Sequence, residues 1–115
     1  MKLYSYSGCS TCKKAIKFLK ENGLNVLILP IRETPPTMDE LNQMLNAYDG
    51  NVKKLFNVSG QDYRAMNLKD KLPSLAVSEA LQLLTNNGNL VKRPFLLTDS
   101  GGYVGFNETE WRQLI

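Results

Sequence analysis

The opening quarter of the chain constrains its fold more than any later stretch. "KLYSY" (2–6) is a short aromatic-rich run of strand composition, and "NVLILPI" (25–31) is almost uninterruptedly apolar. Between them, "TCKKAIKFLKENG" carries a helical period: Cys12, Ala15, Ile16 and Leu19 fall at i, i+3, i+4 and i+7 on one face. Lys13, Lys14, Lys17 and Lys20 lie largely off that stripe and are expected in solvent. Gly23 stands where a helix end favours a left-handed residue. Strand, helix and strand within about 30 residues make a βαβ unit, with parallel strands and a right-handed crossover. The unbroken apolar character of the second strand predicts that it is covered on both faces.

The rest of the chain adds helices and a hairpin. "ETPPTMDELNQML" announces a second helix: Pro35 and Pro36 block helix before it, Thr37 caps it, and Glu40 completes a capping box. Leu41, Met44, Leu45 and Tyr48 form its apolar stripe. Residues 50–88 read as short helices: "NVKKLF", "DYRAMNL" and "SEALQLLTNNG", the last capped by Ser78 and ended near Gly88. "FLLTD" and "GYVGF" flank the turn "DSGG" and predict a hairpin, and "NETEWRQLI" predicts a helix with Asn107 as cap and Glu110 three residues on. The order is βαβα, a helical insertion over about 38–88, then ββα. That order predicts an α/β fold with a mixed sheet flanked by helices, the thioredoxin-like or glutaredoxin-like arrangement. One domain over 1–115 is long enough to bury a core without staples.

Within that frame the chemistry concentrates in "SGCSTCKK", which holds both cysteines of a chain that has no histidine. Cys9 falls in the turn before the first helix, where unpaired backbone N–H groups favour a thiolate. Lys13 and Lys14 add positive charge nearby, and Ser10 or Thr11 can cap the helix. Cys9 is therefore the expected nucleophile. Cys12 lies on the inward stripe, shielded from a partner and placed to attack a mixed disulfide on Cys9, so it is the expected resolving thiol. Zinc wants four ligands, and two sulfurs without histidine fall short; a carboxylate-completed or dimer-bridged site is the remaining metal alternative, and no metal is expected. Lack of histidine also excludes a Cys–His protease dyad and a Ser–His hydrolase.

A formal charge of +3 is too mild to argue direct nucleic-acid binding. "MKLYSYSG" lacks the apolar run of a secretory signal, no stretch approaches transmembrane length, and "EWRQLI" carries no lipidation box. A cytoplasmic location without membrane attachment is expected. In that reducing compartment a close cysteine pair points to catalysis, redox sensing or metal binding rather than a structural staple.

"YSYSGCSTCKKAIKFLKENG", "ETPPTMDEL", "LVKRPFLLTD" and "VGFNETEW", in that order and over essentially the whole chain, resemble the arsenate reductase/Spx family. The resemblance implies a thioredoxin-like sheet with a helical insertion and Cys9 as the active thiol. It further implies an Arg93–Pro94 element in which the arginine faces the thiol and the proline is cis. Arsenate reductases of this family resemble single-thiol enzymes with three oxyanion-binding arginines. Here only Arg93 matches: Asn57 stands at the second position, and Phe106 or its neighbours near the third. Arsenate reduction is accordingly the weaker expectation, and the C-x-x-C supplies an internal resolver. The leading expectation is a thiol–disulfide oxidoreductase acting on a small-molecule or protein disulfide. Cys9 attacks, Cys12 resolves and Arg93 is the positive group, with Pro94, Ser10, Thr11 and Lys13 in support. No bound cofactor is expected, and glutathione with glutaredoxin, or thioredoxin, would supply reducing equivalents. The alternative is an Spx-like redox regulator that binds the RNA polymerase α subunit, to which the thiol pair, Gly50 and Arg93 point. Against it, the insertion "KKLFNVSGQDYRAMNLKDKL" is closer to an arsenate-reductase-related branch with a C-x-x-C, and "RQLI" ends the chain without a basic tail. Asn57, Ser59 and Gly60 are assigned to a turn, and Trp111 to packing.

Overall fold

The computed structural model describes residues 1–115. Four strands, β1 (Lys2–Ser5), β2 (Leu27–Pro30), β3 (Phe95–Thr98) and β4 (Gly101–Val104), form one sheet in the order β2-β1-β3-β4. β1 and β2 run parallel with Ser5 opposite Pro30, and β3 is antiparallel to both β1 and β4. The helices are α1 (Ser10–Glu21), α2 (Met38–Ala47), α3 (Gln61–Ala65), α4 (Leu68–Lys71), α5 (Val77–Asn86) and α6 (Glu108–Trp111). The fold is thus the expected mixed sheet flanked by helices, in the expected order.

Alternation along the strands divides the interior. Leu3 and Leu96 face a small cluster completed by Ala15, Phe18, Leu19 and Trp111, which seats α1 and α6. Tyr4, Phe95 and Leu97 face the larger cluster of 17 buried residues, to which α2, α5 and the short elements of the insertion contribute. On α1 the buried face is Cys12, Ala15, Phe18 and Leu19, with Ile16 only half-buried, so the stripe is centred nearer Phe18 than the spacing alone predicts. α2 has the capping box anticipated from Thr37 and Glu40. The Glu40 carboxylate also accepts from Tyr4 Oη at 2.6 Å and Lys2 Nζ at 3.1 Å, tying α2 to β1.

Several local expectations are corrected. β2 is not covered on both faces. It is an edge strand, with Leu27 57% and Ile28 45% exposed. Its apolar run instead serves the strand's end, where Leu29 packs against the large core and Ile31 is fully buried. α5 begins before Ser78: Ala76 is its N-cap and offers no side-chain cap, while the Glu79 carboxylate accepts from the Ala76 N–H at 3.0 Å. "NVKKLF" forms only a tight turn over Val52–Leu55, and "DYRAMNL" splits into α3 and the start of α4 at Asn67, whose φ is 53°. The final helix is capped by Asn107 as expected, but α6 tightens into a 3-10 turn after Trp111.

One close approach fixes the insertion against the sheet. A Cβ on Gly88 would lie 1.8 Å from the Ile31 carbonyl oxygen, so only glycine lets this backbone rest on the segment leaving β2.

Candidate active site

Parallel pairing brings the C-terminal ends of β1 and β2 side by side, the usual crevice for chemistry in such sheets. From β1 the chain passes through Tyr6, Ser7 and Gly8 to Cys9, whose N–H donates to the Tyr6 carbonyl at 3.0 Å. The turn is tight: a Cβ on Gly8 would come within 2.7 Å of the Tyr6 ring. Cys9 then serves as the N-cap of α1, with its Sγ accepting from the Cys12 N–H at 3.3 Å. Ser10 and Thr11, the anticipated caps, lie inside the first turn instead, because the sulfur already occupies the capping position. Both thiols are free; Cys9 is partly exposed and Cys12 buried.

The two sulfurs differ electrostatically. Burial works against ionisation of Cys9, yet hydrogen bonds from the Cys12 side chain and from the Cys12 and Thr11 backbone, with the charge of Arg93, bring its pKa below the ordinary thiol value. Burial drives Cys12 the other way, to about 12; hydrogen bonding and repulsion from Cys9 add to the rise, while a Tyr6 backbone hydrogen bond and Arg93 only partly oppose it. The cation acting on Cys9 is therefore Arg93. Lys13 and Lys14 lie on the exposed face of α1, where water and salt screen them.

The Arg93–Pro94 peptide is cis, as the resemblance implied, and Pro94 is buried. The Arg93 guanidinium lies 5.2 Å from the Tyr6 ring centroid, and its Nη1 is buried without a hydrogen-bond partner. Arg32, which no motif marks, lies 5.0 Å from the same centroid and donates from Nη1 to Tyr6 Oη at 3.2 Å. Both arginines line a cavity of about 210 Å3 beside Asn57 and Gly60, so this turn also forms one wall. Phe106 lies elsewhere, packed on Trp111 at 5.0 Å and on Phe18 at 5.7 Å. Gly50 follows α2 with φ 81°. Arg32 had one signal: it follows β2 by two residues, at the strand end that register places beside Tyr6. No group of three or more His, Cys, Asp or Glu side chains gathers to hold a metal, and no helix is long and apolar enough to cross a membrane.

The profile of the ArsC family matches residues 4–114, nearly the whole chain and the whole of this crevice. The chain belongs to the ArsC family. YusI of Bacillus subtilis strain 168 is 39% identical to this chain over 110 residues, covering 96% of this chain and 93% of YusI. The global transcriptional regulator Spx of Listeria innocua is 25% identical over 113 residues, covering 98% of this chain and 85% of Spx. The crystal structure of an ArsC family related protein from Bacteroides fragilis superposes with a TM-score of 0.93 at 39% identity, covering 99% of this chain and 96% of that one. Its agreement with the present sheet and helices identifies the thioredoxin-like ArsC architecture.

Proposed function

We propose that this ArsC-family chain is a thiol–disulfide oxidoreductase in which Cys9 is the nucleophile and Cys12 the resolving thiol. The opposite displacement of two thiols one helical turn apart supports this reading most strongly: one is held toward thiolate, its neighbour toward thiol. The Cys9 thiolate attacks one sulfur of a disulfide, forms a mixed disulfide and expels the other half as a thiolate, which takes a proton from water. Once Cys9 is so engaged its negative charge is gone, and with it the repulsion that opposes ionisation of Cys12. Cys12 then loses its proton to solvent and attacks Cys9 Sγ, closing a 9–12 disulfide and releasing the second thiolate. The substrate gains two electrons and the protein pair loses two. Two thiols of glutathione, or one dithiol protein such as glutaredoxin or thioredoxin, return them. Arg93 favours the Cys9 thiolate whenever that thiol is reduced and free.

Alkylation of Cys9 followed against pH tests the reading. Half-maximal rate is expected below the ~8.5 of free cysteine, and Cys12→Ser should accumulate a mixed disulfide with substrate. A profile matching free cysteine, or a Cys12→Ser variant that traps nothing, would sink it. Likeness to Spx over nearly the whole chain supports a second reading, a redox-dependent regulator binding the RNA polymerase α subunit. Capture by purified α subunit that changes with oxidant, without disulfide turnover, would favour it.

A further inference from the structure

Arg32 and Arg93 come from different halves of the chain to one aromatic ring. Register explains the first: Ser5 pairs with Pro30, so the residues just beyond each strand, Tyr6 and Ile31–Arg32, emerge together. The segment carrying Arg32 is firmly seated. Ile31 is fully buried, its N–H donates to the Ser5 carbonyl at 2.9 Å, and Gly88 rests on its carbonyl. Neither arginine has a carboxylate within salt-bridge distance; the ion pairs of the chain are Lys2–Glu40, Lys17–Glu21 and Arg112–Glu108. The carboxylate in the shared cavity, Asp62, accepts instead from the Asn87 and Asn89 side-chain amides at 3.0 and 3.2 Å.

Two guanidinium groups without a carboxylate partner, one with a buried N–H lacking an acceptor, leave a demand that an incoming acceptor would meet. The cavity, at about 210 Å3, admits one end of a small ligand. Asp62 within it disfavours a multiply charged anion, whereas a planar, singly charged carboxylate suits a guanidinium fork. Tyr6 and Arg93 link this cavity to the turn that holds the thiol: the Tyr6 carbonyl accepts the Cys9 N–H, its ring carries both arginines, and the charge of Arg93 acts on Cys9. We infer that Arg32 and Arg93, gathered on Tyr6, form a carboxylate-binding subsite that selects anionic low-molecular-weight disulfides and thiols as partners of Cys9. This rests on the proposed oxidoreductase reading and names its substrate class.

Wild type and Arg32→Gln are compared on dithiodipropionate (anionic), hydroxyethyl disulfide (neutral) and cystamine (cationic). Arg32 is exposed, and thermal melting checks that its variants fold. The anionic-to-neutral ratio of kcat/KM should fall about tenfold in Arg32→Gln, as for loss of one partly exposed charge-assisted hydrogen bond. Arg32→Lys should restore part of it, and cystamine should gain relative to the neutral disulfide. An unchanged ratio overturns the inference. Protection of Cys9 from alkylation by propionate gives a readout without turnover: its loss in Arg32→Gln supports the subsite even if no disulfide is reduced, and its persistence overturns it. Stronger protection by inorganic phosphate than by propionate would overturn it in favour of an oxyanion site.

Discussion

Cys9 and Cys12 are adjacent on the helix and opposite in character, and stability should register the difference. Cys9, held below the ordinary thiol value, contributes stability present above that value and lost as pH falls through its folded pKa. Cys12, raised to about 12, acts in reverse: the unfolded chain ionises first, so stability declines as pH climbs from ~8.5 toward the folded value. Cys12→Ala should therefore flatten the alkaline fall in urea-denaturation midpoints. It should also move the alkylation profile of Cys9 upward, and farther than Arg93→Gln does, because the Cys12 side-chain hydrogen bond acts on the thiolate more strongly than the Arg93 charge. The C-x-x-C spacing and the helical stripe made both cysteine positions legible in the sequence. Arg32 was not, because its place two residues after β2 gains meaning only from which strand pairs with β1 and in which register, a long-range fact.

At the scale of elements, legibility followed how local the determinant is. The start of α2 was readable to the residue, since Pro35, Pro36, Thr37 and Glu40 act on backbone groups a few positions away. β2 was misread because an apolar run reports burial at some of its residues and says nothing of whether a strand is central or marginal. α2 also docks onto β1 through Glu40. Burial opposes its ionisation, but hydrogen bonds from the Thr37 N–H, Tyr4 and Lys2 hold its carboxyl below the usual range. The stability this supplies is present above ~4.3 and is lost as pH falls through the folded value. Glu40→Gln should cost about 1.5–3 kcal/mol near neutrality and blunt the acid limb of a stability profile. Thr37→Ala, which removes only the cap, should cost about 1 kcal/mol and leave that limb in place. Chemical denaturation across the acid range distinguishes the two.

For the molecule as a whole, the element order in the sequence was enough to anticipate a mixed sheet between helices, but not the inequality of its two interiors. The smaller one rests on six residues, and Trp111 lies fully buried among them, stacked at right angles on Phe106 and Phe18. Trp111→Ala should cost about 3–5 kcal/mol, a large share of the ~5–15 kcal/mol total of a natural domain, read as a lowered urea midpoint by far-UV circular dichroism. Because that interior also seats α1, the loss reaches the helix that begins at Cys9. There one atom both caps the helix and belongs to the more acidic of the two thiols. Any bond made to that sulfur, transient or lasting, removes the ionisable thiol from the helix mouth and leaves Arg93 facing a neighbour that can no longer take a charge. Oxidation state is thereby translated into the electrostatics of a backbone terminus, without any part of the fold having to move.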